Sequence, residues 1–90
     1  MDTTNVETLV ALGNLYETEK EWGEALKIYR TMLLQNAEKS GLLRRGDIYM
    51  RLAEAHVALD ETPKALAMLR RGVEEDREHP DLARRLKELE

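Results

Sequence analysis

The sequence predicts an all-α fold of antiparallel helix-turn-helix repeats, two repeats followed by a terminal capping helix. Three observations lead there. Ala, Glu, Lys, Leu and Arg supply 51 of the 90 residues, against 12 for Val, Ile and Thr, a bias toward helix over strand. Apolar residues recur at helical spacing along the chain, and no stretch alternates with period two. One pattern of large and small residues also returns after 40 positions.

The elements follow in order. Leu9, Leu12 and Tyr16 form the first stripe, and Thr4-Asn5-Val6-Glu7 fits a capping box that starts a helix over 4–18. Ala25, Ile28, Tyr29, Met32 and Leu33 form the second stripe, over 22–38, with Ser40-Gly41 as its stop and Trp22 stapling the turn before it. Ile48, Tyr49, Leu52, Ala53 and His56 predict a helix over 42–59. Thr62-Pro63 reads as an N-cap and a first-turn proline for a helix over 63–78, striped by Ala65, Leu66, Met68, Leu69 and Val73. His79-Pro80-Asp81 breaks the chain again, and Leu82, Leu86 and Leu89 mark a last helix over 80–89. Loops this short make successive helices antiparallel neighbours. The expected organisation is one domain over 1–90, with repeat 1 at about 4–39, repeat 2 at about 42–79 and a terminal helix at 80–90.

Overlaying the two halves exposes the repeat. Leu12-Gly13-x-x-Tyr16 followed by Ala25-x-x-x-Tyr29 matches Leu52-Ala53-x-x-His56 followed by Ala65-x-x-x-Leu69. Small residues at Gly13, Ala25, Ala53 and Ala65 leave room for helix backbones to approach, with aromatic rings filling the space beside them. The pattern resembles the tetratricopeptide repeat (TPR), W-x2-L-G-x2-Y…A-x3-F…P, with Leu9 or Tyr49 at the Trp position. The spacing of 40 is longer than the 34 usual for that family, so the chain resembles a long-period variant. The resemblance implies a right-handed superhelix that buries a continuous core and binds a protein or peptide on its concave side.

Charge and composition exclude other classes. The formal charge is −4 and the pI about 5.2, and the pairs Arg44-Arg45, Arg70-Arg71 and Arg84-Arg85 are interleaved with acids and lack stacking aromatics, so nucleic acid is not an expected partner. Cysteine is absent, which removes thiolate chemistry. His56 and His79 are too far apart in sequence for a helical metal pair, and Ser40 has no histidine near it. No catalysis, cofactor or metal is therefore expected, with His56 filling the repeat's Tyr position and His79 capping or preceding Pro80. Glu74-Glu75-Asp76 is expected to be a solvated face. No apolar run approaches the ~20 residues of a membrane span, and Met1–Asn5 does not read as a signal peptide. A cytoplasmic location is expected.

A binding module is the remaining class. By the resemblance, the concave face carries Glu7, Val10, Asn14 and Glu17 from the first helix, Asp47, Met50, Arg51, Glu54 and Val57 from the third, and Arg84 and Glu88 from the last. Acids outnumber arginines on this face, so the expected ligand is basic or amphipathic, over an apolar floor of Val10, Met50 and Val57. The receptor clamp for acidic C-terminal tails, known in this family, is not reproduced: its positions hold Val10, Asn14, Arg51, Asp81 and Arg85, of which Asn14 and Arg85 match. The alternatives are a structural unit stacking end to end as a homo-oligomer, a piece of a longer array, and a regulatory appendage of an enzyme on a longer chain.

Overall fold

The computed structural model describes residues 5–90. Five α-helices follow one another: α1 (Val6–Thr18), α2 (Trp22–Leu34), α3 (Arg45–Ala58), α4 (Thr62–Glu75) and α5 (Leu82–Leu89). A 3₁₀ turn at Ala37–Ser40 lies between α2 and α3, and there is no strand among the described residues. Each helix packs against the next along the chain, so α1–α2 and α3–α4 are the two hairpins of the repeat.

The helix ends have local causes. Asn5 is the N-cap of α1: its backbone is extended and its side-chain oxygen accepts the Thr8 N–H at 3.1 Å. The capping box assigned to Thr4 falls outside the described residues. Helix α2 stops at Leu34, four residues before the expected end at 38, because Asn36 turns left-handed at φ 53°. Asparagine tolerates that region better than most residues. Gly41, at φ 80°, ends the 3₁₀ turn where a stop was expected. The segment 35–44 thus holds the extra length of the first repeat. Helix α4 starts at Thr62, so Pro63 sits inside the first turn, but no side chain caps this end, contrary to the role expected of Thr62.

The core runs along the hairpins. Leu9, Ala25, Tyr29 and Met32 from the first hairpin meet Ile48, Tyr49, Leu52 and Ala53 from α3, and Ala65, Leu69 and Leu82 continue it. Helix α3 lies between α2 and α4, with Gly46, Ile48, Tyr49, Leu52, Ala53, Ala55 and His56 all buried. Trp22 is half-buried against this core. His56 is buried at the repeat's Tyr position, and its Nδ1 lies 2.9 Å from Glu61 Oε1.

Helix α5 seats Leu82 fully and Leu86 and Leu89 partly, while Ala83, Arg84, Lys87 and Glu88 face water. Arg85, on the same helix, is half-buried. It donates from Nε and Nη2 to Glu54 Oε1 at 3.0 and 2.8 Å and ties α5 to α3.

Three glycines let the helices close. A Cβ on Gly13 would stand 2.7 Å from Tyr29 Cε1, and one on Gly72 2.9 Å from Tyr49 Cβ. At Gly46 it would meet His79 Cδ2 at 2.6 Å and Asp76 Oδ2 at 2.8 Å. Gly46→Ala should therefore destabilise the chain by about 1–3 kcal/mol, the usual cost of overpacking. Gly23, with nothing within 4 Å of its would-be Cβ, should instead gain up to about 0.5–1 kcal/mol as Ala. Thermal melts of the two variants check both signs.

A candidate binding groove

The first helices of the repeats present equivalent positions to one side. Glu7, Asp47 and Asp81 are spaced by 40 and 34 residues, and the same spacing relates Val10, Met50 and Arg84, and Ala11, Arg51 and Arg85. Between these helices lies an open groove of about 810 Å³. Val10, Ala11, Tyr29, Met32, Leu42, Leu43 and Met50 form its apolar walls, and Glu7, Asn14, Asp47, Arg51, His79 and Asp81 its polar ones. Of the residues expected on the concave side, Glu7, Val10, Asn14, Asp47, Met50 and Arg51 are brought together here. Glu17, Glu54, Val57, Arg84 and Glu88 do not line it.

The electrostatics of this side differ from the simple count of acids. Arg51 Nη1 donates to Asn14 Oδ1 at 3.0 Å and to Glu17 Oε2 at 2.7 Å, and its guanidinium lies 6.0 Å from the Tyr29 ring centroid. Arg51 and Arg85 are thus equivalent arginines that reach back to the preceding first helix, one to Glu17 and the other to Glu54. Both acids are engaged in ion pairs within the fold, Glu17 largely buried and Glu54 still partly exposed. Val57 is half-buried and packs on the core, and Arg84 donates to Asp81 on the exposed side of α5. The acids that line the groove are Glu7, exposed, with Asp47 and Asp81 about half exposed and bonded to His79 and Arg84 respectively.

His79 organises one end of the groove, a role its sequence position did not announce. It is buried, with Nε2 2.7 Å from Asp47 Oδ1, while Nδ1 accepts the Asp81 N–H at 3.2 Å. The second bond requires a lone pair on Nδ1, so the ring carries its proton on Nε2 and donates it to Asp47. Asp47 Oδ2 also accepts the Arg44 N–H at 2.9 Å, capping α3. Burial raises the Asp47 pKa, but the Arg44 N–H and the His79 ring outweigh it and hold the carboxyl below its usual range. Only the adjacency of Asp81 to His79 in sequence could have suggested this arrangement.

Behind the groove a second acid–arginine cluster locks α4 onto the start of α3. Arg44 donates from Nε to Asp76 Oδ2 at 3.1 Å and from Nη2 to Asp76 Oδ1 at 2.6 Å, and Gly46 N–H adds 3.0 Å to Oδ2. Arg45 and the Tyr49 hydroxyl both donate to Glu75. Glu75 and Asp76 are therefore interhelical ligands and not the solvated face expected of Glu74-Glu75-Asp76, of which Glu74 alone is free in this sense. Arg44 holds the Asp76 carboxyl below its ordinary pKa, and Arg45 does the same for Glu75. A carboxyl with a lowered folded-state pKa stabilises above its unfolded value and loses that contribution as pH falls through the folded one. The melting temperature should thus drop as pH falls below about 4, and Asp76→Asn should melt lower at pH 7 with a shallower acid slope. Parallel slopes for the two proteins would contradict this role for Asp76.

Among the described residues no group of three or more His, Cys, Asp or Glu side chains is arranged to hold a metal ion. No helix among them is long and apolar enough to cross a membrane. Of the known proteins compared, no curated protein and no solved structure matches the chain. A family model described as tetratricopeptide repeat matches residues 19–89, which takes in α2 through α5. With its hairpins, small-residue contacts and repeated register, the chain belongs to the tetratricopeptide-repeat family.

Proposed function

We propose that the chain is a protein-interaction module that binds a segment of a partner in the groove between its first helices and catalyses no reaction. The observation that supports this is the composition of the groove. Apolar side chains from three elements (Val10 on α1, Leu42 and Leu43 before α3, Met50 on α3) surround a concavity whose rim is acidic. Concave, largely apolar sites with a few placed polar groups are where ligands bind, and unbranched Met50 adapts to varied partners. The polar rim supplies orientation, and steering by charge weakens beyond ~8–10 Å at physiological salt.

The acids that carry the basic or amphipathic preference are Glu7, Asp47 and Asp81. Glu17 and Glu54, although on the same side, hold the repeats together through Arg51 and Arg85. Their reversal would therefore disturb the fold as well as any ligand. A steric test avoids that ambiguity. Ala11 is exposed and lines the groove, whereas Ala67 is exposed on α4 outside it. Peptides selected on the chain from a random library should lose at least about tenfold in affinity to Ala11→Trp, equivalent to ~1.4 kcal/mol. Ala67→Trp should leave them unchanged. Fluorescence anisotropy with the selected peptides reads both, and sensitivity to Ala67→Trp alone would move the site to the outer face.

A further inference from the structure

One face of the first helices is covered in α3 and α5 and open in α1. Thr8, Ile48 and Leu82 share a repeat position, as do Leu12, Leu52 and Leu86, and Leu15, Ala55 and Leu89. On α5 these residues pack on α4, its main neighbour, with both Leu82 Cδ atoms 3.1 Å from the would-be Cβ of Gly72. On α3, Ile48, Leu52 and Ala55 are at most 1 % exposed, and the same register sets them against α2. Each first helix thus seats this face on the second helix of the hairpin before it. Among the described residues no helix precedes α1 to receive its copy of the face. There Leu15 is 49 % exposed, and Thr8 and Leu12 are half-buried.

The charge pattern indicates what covers it. Residues 8–16 are the longest run without Asp, Glu, Lys or Arg in a chain where 36 % of residues are charged. The solvent side of a surface helix is ordinarily polar or charged, as on α5, whose outer side carries Arg84, Lys87 and Glu88. A contact across a two-fold axis brings a patch against its own copy, so any charge in it repels itself, and an uncharged patch avoids that. The other surfaces of a second copy fit less well. Helices α2 and α4, the kind of helix that α1 lacks, are already packed under α3 and α5. What a second copy can offer is the same face of α1. That helix has 13 residues, about 20 Å of length and about 10 Å of width, so the contact lies at the small end of specific interfaces and the association is weak.

We propose that two copies of this chain associate face to face through α1, with Thr8, Leu12 and Leu15 of each packed against the same helix of its partner across a two-fold axis. Removing the exposed leucines from water drives the contact. None of the three residues lines the groove, so the groove reading and this one fail separately.

Sedimentation equilibrium of the chain from about 5 to about 500 μM tests it. The average mass should rise from 10.4 kDa toward twice that value, with a midpoint of ~100 μM. Amide chemical shifts that change on dilution should cluster in residues 8–16. Leu15→Glu should weaken association at least about tenfold, since it sets two carboxylates against each other. Leu34→Glu, at an exposed leucine on α2, should leave it within about twofold. Circular dichroism checks that each variant folds, and Thr8→Glu on the same face serves if Leu15→Glu does not. An equimolar mixture of Leu15→Glu and Leu15→Lys should associate more tightly than either alone, because the opposed charges then attract across the axis. A chain that stays monomeric at ~500 μM overturns the proposal and leaves the face to a hairpin of a longer chain or to a different protein. A dimer that tolerates Leu15→Glu, that responds equally to Leu34→Glu, or that the mixture fails to restore also overturns it, because the contact then lies elsewhere or is head-to-tail.

Discussion

Burial of α3 between α2 and α4 is the constraint on which the remaining structure depends. Half of its fourteen residues are buried, a proportion possible only because small residues occur on both of its faces. Ala53 and Ala55 are fully buried, and Gly46 allows His79 and Asp76 to lie directly over the first turn. Interiors pack to crystal-like density, so such contacts tolerate little change in volume. Helices α1 and α5 pack mainly against one neighbour each, α2 and α4, and reach α3 through the Arg51–Glu17 and Arg85–Glu54 pairs. They contribute their stability through the hairpin and the cap, while α3 sets the geometry that both must match.

That geometry also decides which charges pair within the fold. Arg51 and Arg85 extend from the same repeat position and neutralise Glu17 and Glu54 on the preceding helix. Such pairs are partly exposed, and each bridges two successive first helices. The consequence for the groove is subtraction: of the acids on this side Glu7 stays exposed, while Asp47 and Asp81 are themselves bonded to His79, Arg44 and Arg84. His79 beneath Asp47 and Asp81 then orders that rim from inside the fold.

Most of the fold was legible in the sequence, because close packing leaves a periodic record. Gly13 facing Tyr29 is a contact that Leu12-Gly13-x-x-Tyr16 followed by Ala25-x-x-x-Tyr29 implies, and Glu7, Val10, Asn14, Asp47, Met50 and Arg51, which line the groove, were placed on one face by the family resemblance. What the sequence did not reveal depends on partners distant along the chain. The early end of α2 rests on one asparagine adopting φ 53°, a conformation that propensity permits without demanding. Glu75 and Asp76 read as a solvated acidic run because nothing local shows that Arg44 and Arg45, about 30 residues earlier, reach them. Asp81 and His79 were missed as groove residues for the same reason: a helix-breaking His-Pro-Asp is a boundary signal first, and its tertiary contacts are invisible to periodicity.

Native-state amide hydrogen exchange tests the central place of α3 most directly. Amides exchange according to the free energy of the smallest opening that exposes them. Helix α3, covered on both sides, should open only with the whole molecule, so the amides from Ile48 to His56 should be the slowest and should share one opening free energy. Those of α1 and α5, covered on one side, should exchange through smaller openings and faster. Protection of α1 equal to or above that of α3 would contradict the account, because the fold would then be organised around its first hairpin and not around the helix that joins the two.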